Sequence, residues 1–179
     1  MEELIKRAQK GDQEAFTTLV KSMKDDLYKI AKTRISNEDD MQDAIQETML
    51  EMFKSIKKLR DPKLFKKWII TILINKCNRI YRRKYKTDLS YEELNFEDFI
   101  TATSNDVESD LEFYELLKDL KYEERIVIVL HYMEQYSIED ISNTLKMNKN
   151  TIKTHLYRAR EKIKKIIEEE EEGKYERCR

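Results

Sequence analysis

The chain has 179 residues, with 35 Lys+Arg against 36 Asp+Glu, two glycines, one proline and two cysteines. So little Gly and Pro excludes a sandwich or barrel, which needs a turn signal roughly every 8–12 residues, and a Gly-rich phosphate loop. No aliphatic run nears the roughly 20 residues of a bilayer span, and residues 1–12 lack a signal-peptide core, so the expected location is cytoplasmic.

Cys77 and Cys178 fit neither a disulfide framework nor a Cys-x-x-Cys clip. With His131 and His155, the two histidines, they show no metal spacing, and no nucleophile–base pair can be drawn. No metal, cofactor or catalysis is expected. The remaining class is an all-α protein.

The net charge of −1 hides strong segregation. Residues 36–53 sum to −6, and 54–86 carry 13 basic side chains against Asp61 alone, a net of +12. Residues 87–124 sum to −11, and 145–166 return to +7. Blocks of this size mark separate surfaces for separate partners.

In chain order, residues 2–9 form a short amphipathic stretch that Gly11 can close in the left-handed conformation, after which Asp12 caps a second helix. Phe16, Leu19, Val20, Met23, Leu27, Ile30 and Ala31 recur there at helical spacing. A third helix carries Met41, Ile45, Met49, Met52, Ile56 and Leu59. Arg60-Asp61-Pro62 ends it and starts a fourth, from about Pro62 to Arg83, with Phe65, Trp68, Ile69, Ile72, Leu73, Cys77 and Ile80 inward.

The acidic stretch 87–108 lacks helical periodicity and reads as a linker. Helices resume over 110–119 and 121–133. Ser137 with Asp140 opens a short helix, Asn148 caps a last one with Ile152, Leu156, Ala159, Ile163 and Ile166 inward, and the chain from Glu168 should fray. The layout is two small helical domains, 1–86 and 109–172, joined by that linker and followed by a tail, 173–179. The second is a helix–turn–helix domain.

Such a domain inserts the N-terminal part of its second helix into the major groove. Lys149, Asn150, Thr151, Lys153, Thr154, His155, Tyr157 and Arg158 occupy that part. Lys153 and Arg158 suit phosphates or guanine edges, and Asn150, Thr154 or His155 suit base edges. In the fourth helix, Thr71, Asn75, Asn78, Arg79 and Arg82 share one face, flanked by Lys66, Lys67 and Arg83. Amides and guanidiniums in a basic track, with Trp68 a turn upstream, suit a strand whose bases are splayed out. Asp43, Gln46 and Glu47 on the third helix suit docking to a basic protein helix.

Four fragments in this order resemble the extracytoplasmic-function group of bacterial RNA polymerase sigma factors, in the sigma-70 family. They are Ala8-Gln9-Lys10-Gly11-Asp12-Gln13-Glu14-Ala15-Phe16, Asp43-Ala44-Ile45-Gln46-Glu47-Thr48, Trp68 followed by Asn75, and Thr151 to Arg160. The resemblance implies a sigma region 2 and a sigma region 4.

It further implies that Asp43, Gln46 and Glu47 dock on the clamp helices of the polymerase's largest subunit, with the flap as a further contact. The loop Leu59–Lys63, including Arg60, and the helix bearing Asn75 and Arg79 would melt promoter DNA at the minus-ten element, Asn75 wedging where the strands part. The eight residues Lys149 to Arg158 named above would read the minus-thirty-five element as duplex. The linker would thread the polymerase's RNA path, and an anti-sigma factor, often membrane-anchored, is an expected partner. The chain departs from many relatives at Asp61-Pro62 and Lys149-Asn150, where Gly is frequent, and at His155, where Arg is. The alternative reading is a stand-alone helix–turn–helix regulator, which predicts tight DNA binding without another protein.

Overall fold

A computed structural model describes residues 1–85 and 116–177, with side chains over 1–83 and 116–169. The expected linker, 87–108, and Cys178 lie outside the described residues. The chain divides into two compact units, Met1–Leu89 and Ser90–Arg179, and no strand occurs among the described residues.

In the first unit, α1 (Glu2–Gln9) and α2 (Gln13–Lys32) meet at a tight reversal. Gly11 takes φ +96°, a region that L side chains rarely occupy. Asp12 Oδ1 then accepts the Ala15 N–H at 3.0 Å, while Arg7 Nε donates to its Oδ2 at 2.8 Å. The Ala15 N–H first, and the Arg7 guanidinium second, hold the Asp12 carboxyl below its usual range.

The reversal also aims Gln9, whose Nε2 donates to the carbonyls of Ile56 (3.0 Å) and Leu59 (2.7 Å). This clamps the loop that leads into the basic helix. Gln9→Ala should lower the stability of this unit by about 1–2 kcal/mol, the worth of two part-buried hydrogen bonds. An unchanged urea midpoint would mean that the clamp contributes nothing.

Helix α3 (Glu38–Ser55) is capped by Asn37, whose Oδ1 accepts the Asp40 N–H at 3.0 Å. Its core face differs from the expected one. Met41, Ala44, Thr48 and Met52 are buried, whereas Ile45 and Met49 are half-buried flanks. Small side chains at Ala44 and Thr48 let α3 pack closely, and the Thr48 hydroxyl is satisfied by the Ala44 carbonyl at 2.7 Å.

Pro62–Leu64 forms a 3₁₀ turn, with Asp61 Oδ1 accepting the Lys63 N–H, and α4 runs over Phe65–Tyr85. Its buried face is Phe65, Ile69, Ile70, Leu73, Ile74, Cys77, Ile80 and Tyr81. Trp68 and Ile72, expected inward, are half-buried, and Ile70 and Ile74 take their place. At 100° per residue Trp68 lies over the Thr71–Asn75–Arg82 stripe, not opposite it.

In the second unit, Leu116 and Leu117 are helical, and 110–115 lie outside the described residues. The helix expected over 121–133 is α5 (Tyr122–Ile128) followed by a π turn, Val129–Met133. The wider turn buries Val129 and Leu130, and the Tyr136 N–H donates to the Leu130 carbonyl at 2.9 Å. His131 Nδ1 lies 3.0 Å from the Tyr136 carbonyl oxygen, a structural placement.

Helix α6 (Ile138–Leu145) opens on the reciprocal Ser137–Asp140 box and closes at Lys146, which takes the left-handed conformation (φ +55°). Asn148 Oδ1 accepts the Asn150 N–H at 2.8 Å, and α7 runs from Lys149 to Arg177. The helix thus continues past Glu168, where the sequence suggests fraying, and into the stretch read as a tail. Glutamates propagate a helix well, and Lys164 pairs with Glu168 one turn on at 3.6 Å.

One acid ties this unit together. Glu124 is 1% exposed. Its Oε2 accepts the Lys121 N–H at 3.0 Å and faces Lys162 Nζ of α7 at 2.9 Å. Burial alone would raise its pKa. The hydrogen bonds from Lys162 and the Lys121 N–H, with the charges of Lys162 and His155, bring it below the ordinary 4.5.

Candidate nucleic-acid and polymerase interface

The α4 face holds the first set of expected DNA contacts. Asn75, Arg82 and Arg83 are exposed, as are Arg60 and Lys63 in the loop before the helix. Asn75 makes no hydrogen bond among the described residues, which leaves its amide unspent. Trp68 packs its ring against Phe65, with centroids 6.1 Å apart, and leaves part of its surface uncovered. Thr71 spends its hydroxyl on the Lys67 carbonyl at 2.7 Å.

Three members of the set are held within the unit. Lys66 pairs with Asp26 at 2.8 Å, and the Asn78 carbonyl oxygen accepts Arg34 Nη2 at 2.5 Å. Arg79 leans away from the stripe onto α3, where Nη2 donates to both Glu47 oxygens, at 2.6 and 2.5 Å. Lys67 is half-buried.

On α7, Asn150, Thr151, Lys153, Thr154, Tyr157 and Arg158 are exposed and share one face. Thr154 donates to the Asn150 carbonyl at 3.0 Å, and Lys149 reaches Glu139 of α6 at 3.0 Å. His155 is set apart. It lies on the core edge of the helix, half-buried, with Nδ1 enclosed and unpartnered.

The α3 surface contains more than the expected acids. Asp43 and Gln46 are exposed, and two turns further on from each, Leu50 and Phe53 are 58% and 65% exposed. Phe53 stands edge-on to Phe16 of α2, with centroids 5.3 Å apart. These two apolar residues escaped the sequence reading, although their offset from Asp43 and Gln46 puts them on the same face. The patch combines charge, amide and apolar area, as protein interfaces do.

Among the described residues no three acids, histidines or cysteines gather to hold a metal, and no helix is long and apolar enough to cross a membrane. Cys77 is buried, and burial pushes its thiol up to about 12, which makes it unreactive.

Each of the two helical units carries an exposed polar and basic helix face. Residues 19–87 match the family model for sigma-70 region 2, and residues 110–163 match that for sigma-70 region 4. The chain is 30% identical over 142 residues to the RNA polymerase sigma factor SigV of Bacillus subtilis, covering 79% of this chain and 84% of the relative. It is also 30% identical over 176 residues to the ECF RNA polymerase sigma factor SigW of the same organism, covering 91% and 94%. The sigma factor RpoE of Bartonella quintana, solved with the anti-sigma factor NepR, shares the fold at a TM-score of 0.64 and 21% identity, over 86% of this chain and 96% of that one. The chain belongs to the ECF RNA polymerase sigma factors, which direct RNA polymerase to promoters.

Proposed function

We propose that this sigma factor works through three surfaces, in the cytoplasm and without catalysis of its own. The α3 patch of Asp43, Gln46, Glu47, Leu50 and Phe53 docks on the clamp helices of core polymerase. The α4 track of Trp68, Asn75, Arg82 and Arg83, with Arg60 and Lys63, opens the minus-ten element and holds an unstacked base. The exposed α7 face from Lys149 to Arg158 reads the minus-thirty-five element.

The single observation that carries this reading is the Asn75–Arg82 track, exposed on a helix whose opposite face is fully buried. An amide and a guanidinium on a rigid element, beside a half-covered indole, suit splayed bases better than a duplex groove. The domain division 1–86, 87–108, 109–172 belongs to the same proposal, the linker carrying the chain between surfaces. An anti-sigma factor completes it as a regulatory partner, supported by the solved relative that is bound to one.

Transcription from a promoter library, with core polymerase and with or without this chain, tests the reading. Initiation that depends on the chain, at promoters sharing two spaced elements, is expected. Tight sequence-specific binding by the chain alone would favour a stand-alone regulator. Within that assay, Arg158→Ala should weaken holoenzyme binding to the selected upstream element by about 1–3 kcal/mol. An unaltered affinity removes Arg158 from the interface.

A further inference from the structure

The two surfaces of the first unit share a pair of side chains. Glu47, at the edge of the α3 patch, is gripped through both oxygens by Arg79, at the edge of the α4 track. Lys76 stands 3.7 Å from Glu47 and 3.8 Å from Glu51, so the carboxylate already has two cations beside it. Yet neither main partner is sequestered. The Arg79 side chain is 62% exposed and that of Glu47 36% exposed.

We infer that the Glu47–Arg79 pair is a latch in which polymerase and Arg79 compete for one carboxylate, so that docking frees Arg79 for DNA. The inference rests on the proposed docking role of Glu47. A basic side chain from the polymerase that approaches Glu47 meets Arg79 and Lys76 within a few ångströms, and like charges at that range repel. The incoming cation thus competes with Arg79, which holds both Glu47 oxygens, for the same acceptor sites. Arg79 lies at the border of a strongly basic helix face, where a DNA strand offers phosphates in exchange.

Coupling of this kind is reciprocal. Whatever factor docking adds to DNA affinity, DNA adds to docking. The pair is partly solvated, which limits that factor to about two- to fivefold.

The test uses the full chain, core polymerase and a fluorescent single-stranded oligodeoxynucleotide pool of randomised sequence at low salt. Glu47→Gln should raise the affinity of the free chain for the pool by about two- to fivefold. The gain should vanish when Arg79→Gln is added. Asp43→Asn removes an equal charge from the same helix without touching Arg79, and should give a smaller gain. Arg79→Gln alone should bind core polymerase more tightly, because Glu47 loses its internal competitor.

An unchanged DNA affinity in Glu47→Gln, a gain that survives Arg79→Gln, an equal gain in Asp43→Asn, or weaker polymerase binding by Arg79→Gln each overturns the latch. Failure of the docking role looks different. There, Glu47→Gln and Asp43→Asn both leave polymerase binding untouched, whatever happens with DNA.

Discussion

Asn75→Ala is expected to leave closed promoter complexes almost intact and to lower the opening equilibrium by about 5- to 150-fold. The expectation follows from what Asn75 does not do. It is exposed on α4 and makes no hydrogen bond among the described residues, so its removal costs the fold nothing, and Ala is the better helix former. Its amide carries two donors and an acceptor. A base that leaves the stack exposes its Watson–Crick edge, which this amide can satisfy and which pairing occupies in the duplex. Losing such contacts costs about 1–3 kcal/mol in the opened state only, which is roughly 5- to 150-fold in the opening equilibrium. Permanganate reactivity of unpaired thymines reads this directly. An equal loss in duplex binding would move Asn75 from melting to initial recognition.

The second large effect concerns stability. Glu124→Ala is expected to destabilise the C-terminal unit by about 2–4 kcal/mol. It strands the Lys121 N–H and leaves Lys162 beside an apolar gap. The figure sits below the upper end for a broken buried pair because the Lys162 side chain is 37% exposed. The pH dependence has a definite sign. With its folded pKa below the ordinary 4.5, Glu124 contributes stability that is fully present above pH 4.5 and lost as pH falls through the folded value. The variant should lack this part of the acid sensitivity. Urea unfolding near pH 7 and again below pH 4.5 checks both, and a wild-type–variant gap that does not narrow in acid would refute the assignment.

Much of the fold was legible because its punctuation is local. Asp12, Ser137 and Asn148 announce their helices through side chains that bond the backbone within three residues. Gly11 marks its turn for the equally local reason of its φ. The phase of α4 was harder to read. From Trp68 to Ile74 nearly every residue is apolar, so periodicity fits several rotations, and the choice between Ile72 and Ile74 falls to packing against α2 and α3. The α3 face misled for the converse reason. Ala44 and Thr48 carry little hydrophobic signal, yet close approach of the helices selects them over Ile45 and Met49.

The candidate surfaces followed the same division. Residues exposed on α4 and α7 appear where helical spacing puts them. Those that the fold also ties to other groups are tied through partners remote in sequence. Arg79 found Glu47 across 32 residues, Asn78 found Arg34 across 44, and His155 came to lie near Glu124. No local pattern encodes such pairings. The π turn at Val129–Met133 belongs here too, since no motif announces it.

The pairs Lys66–Asp26, Arg79–Glu47 and Lys149–Glu139 have a consequence for how DNA binding by this chain responds to salt. A cation that meets a phosphate expels the small ions condensed there, and the slope of affinity against salt counts those ions. A lysine or arginine that first abandons its own carboxylate leaves that acid to collect a cation from solution. Release at the DNA is then offset by uptake at the protein. On the proposed DNA contacts of these three cations, the salt slope counts phosphate contacts minus surrendered acids, and taken at face value it understates the interface by as much as one ion for every pair that opens.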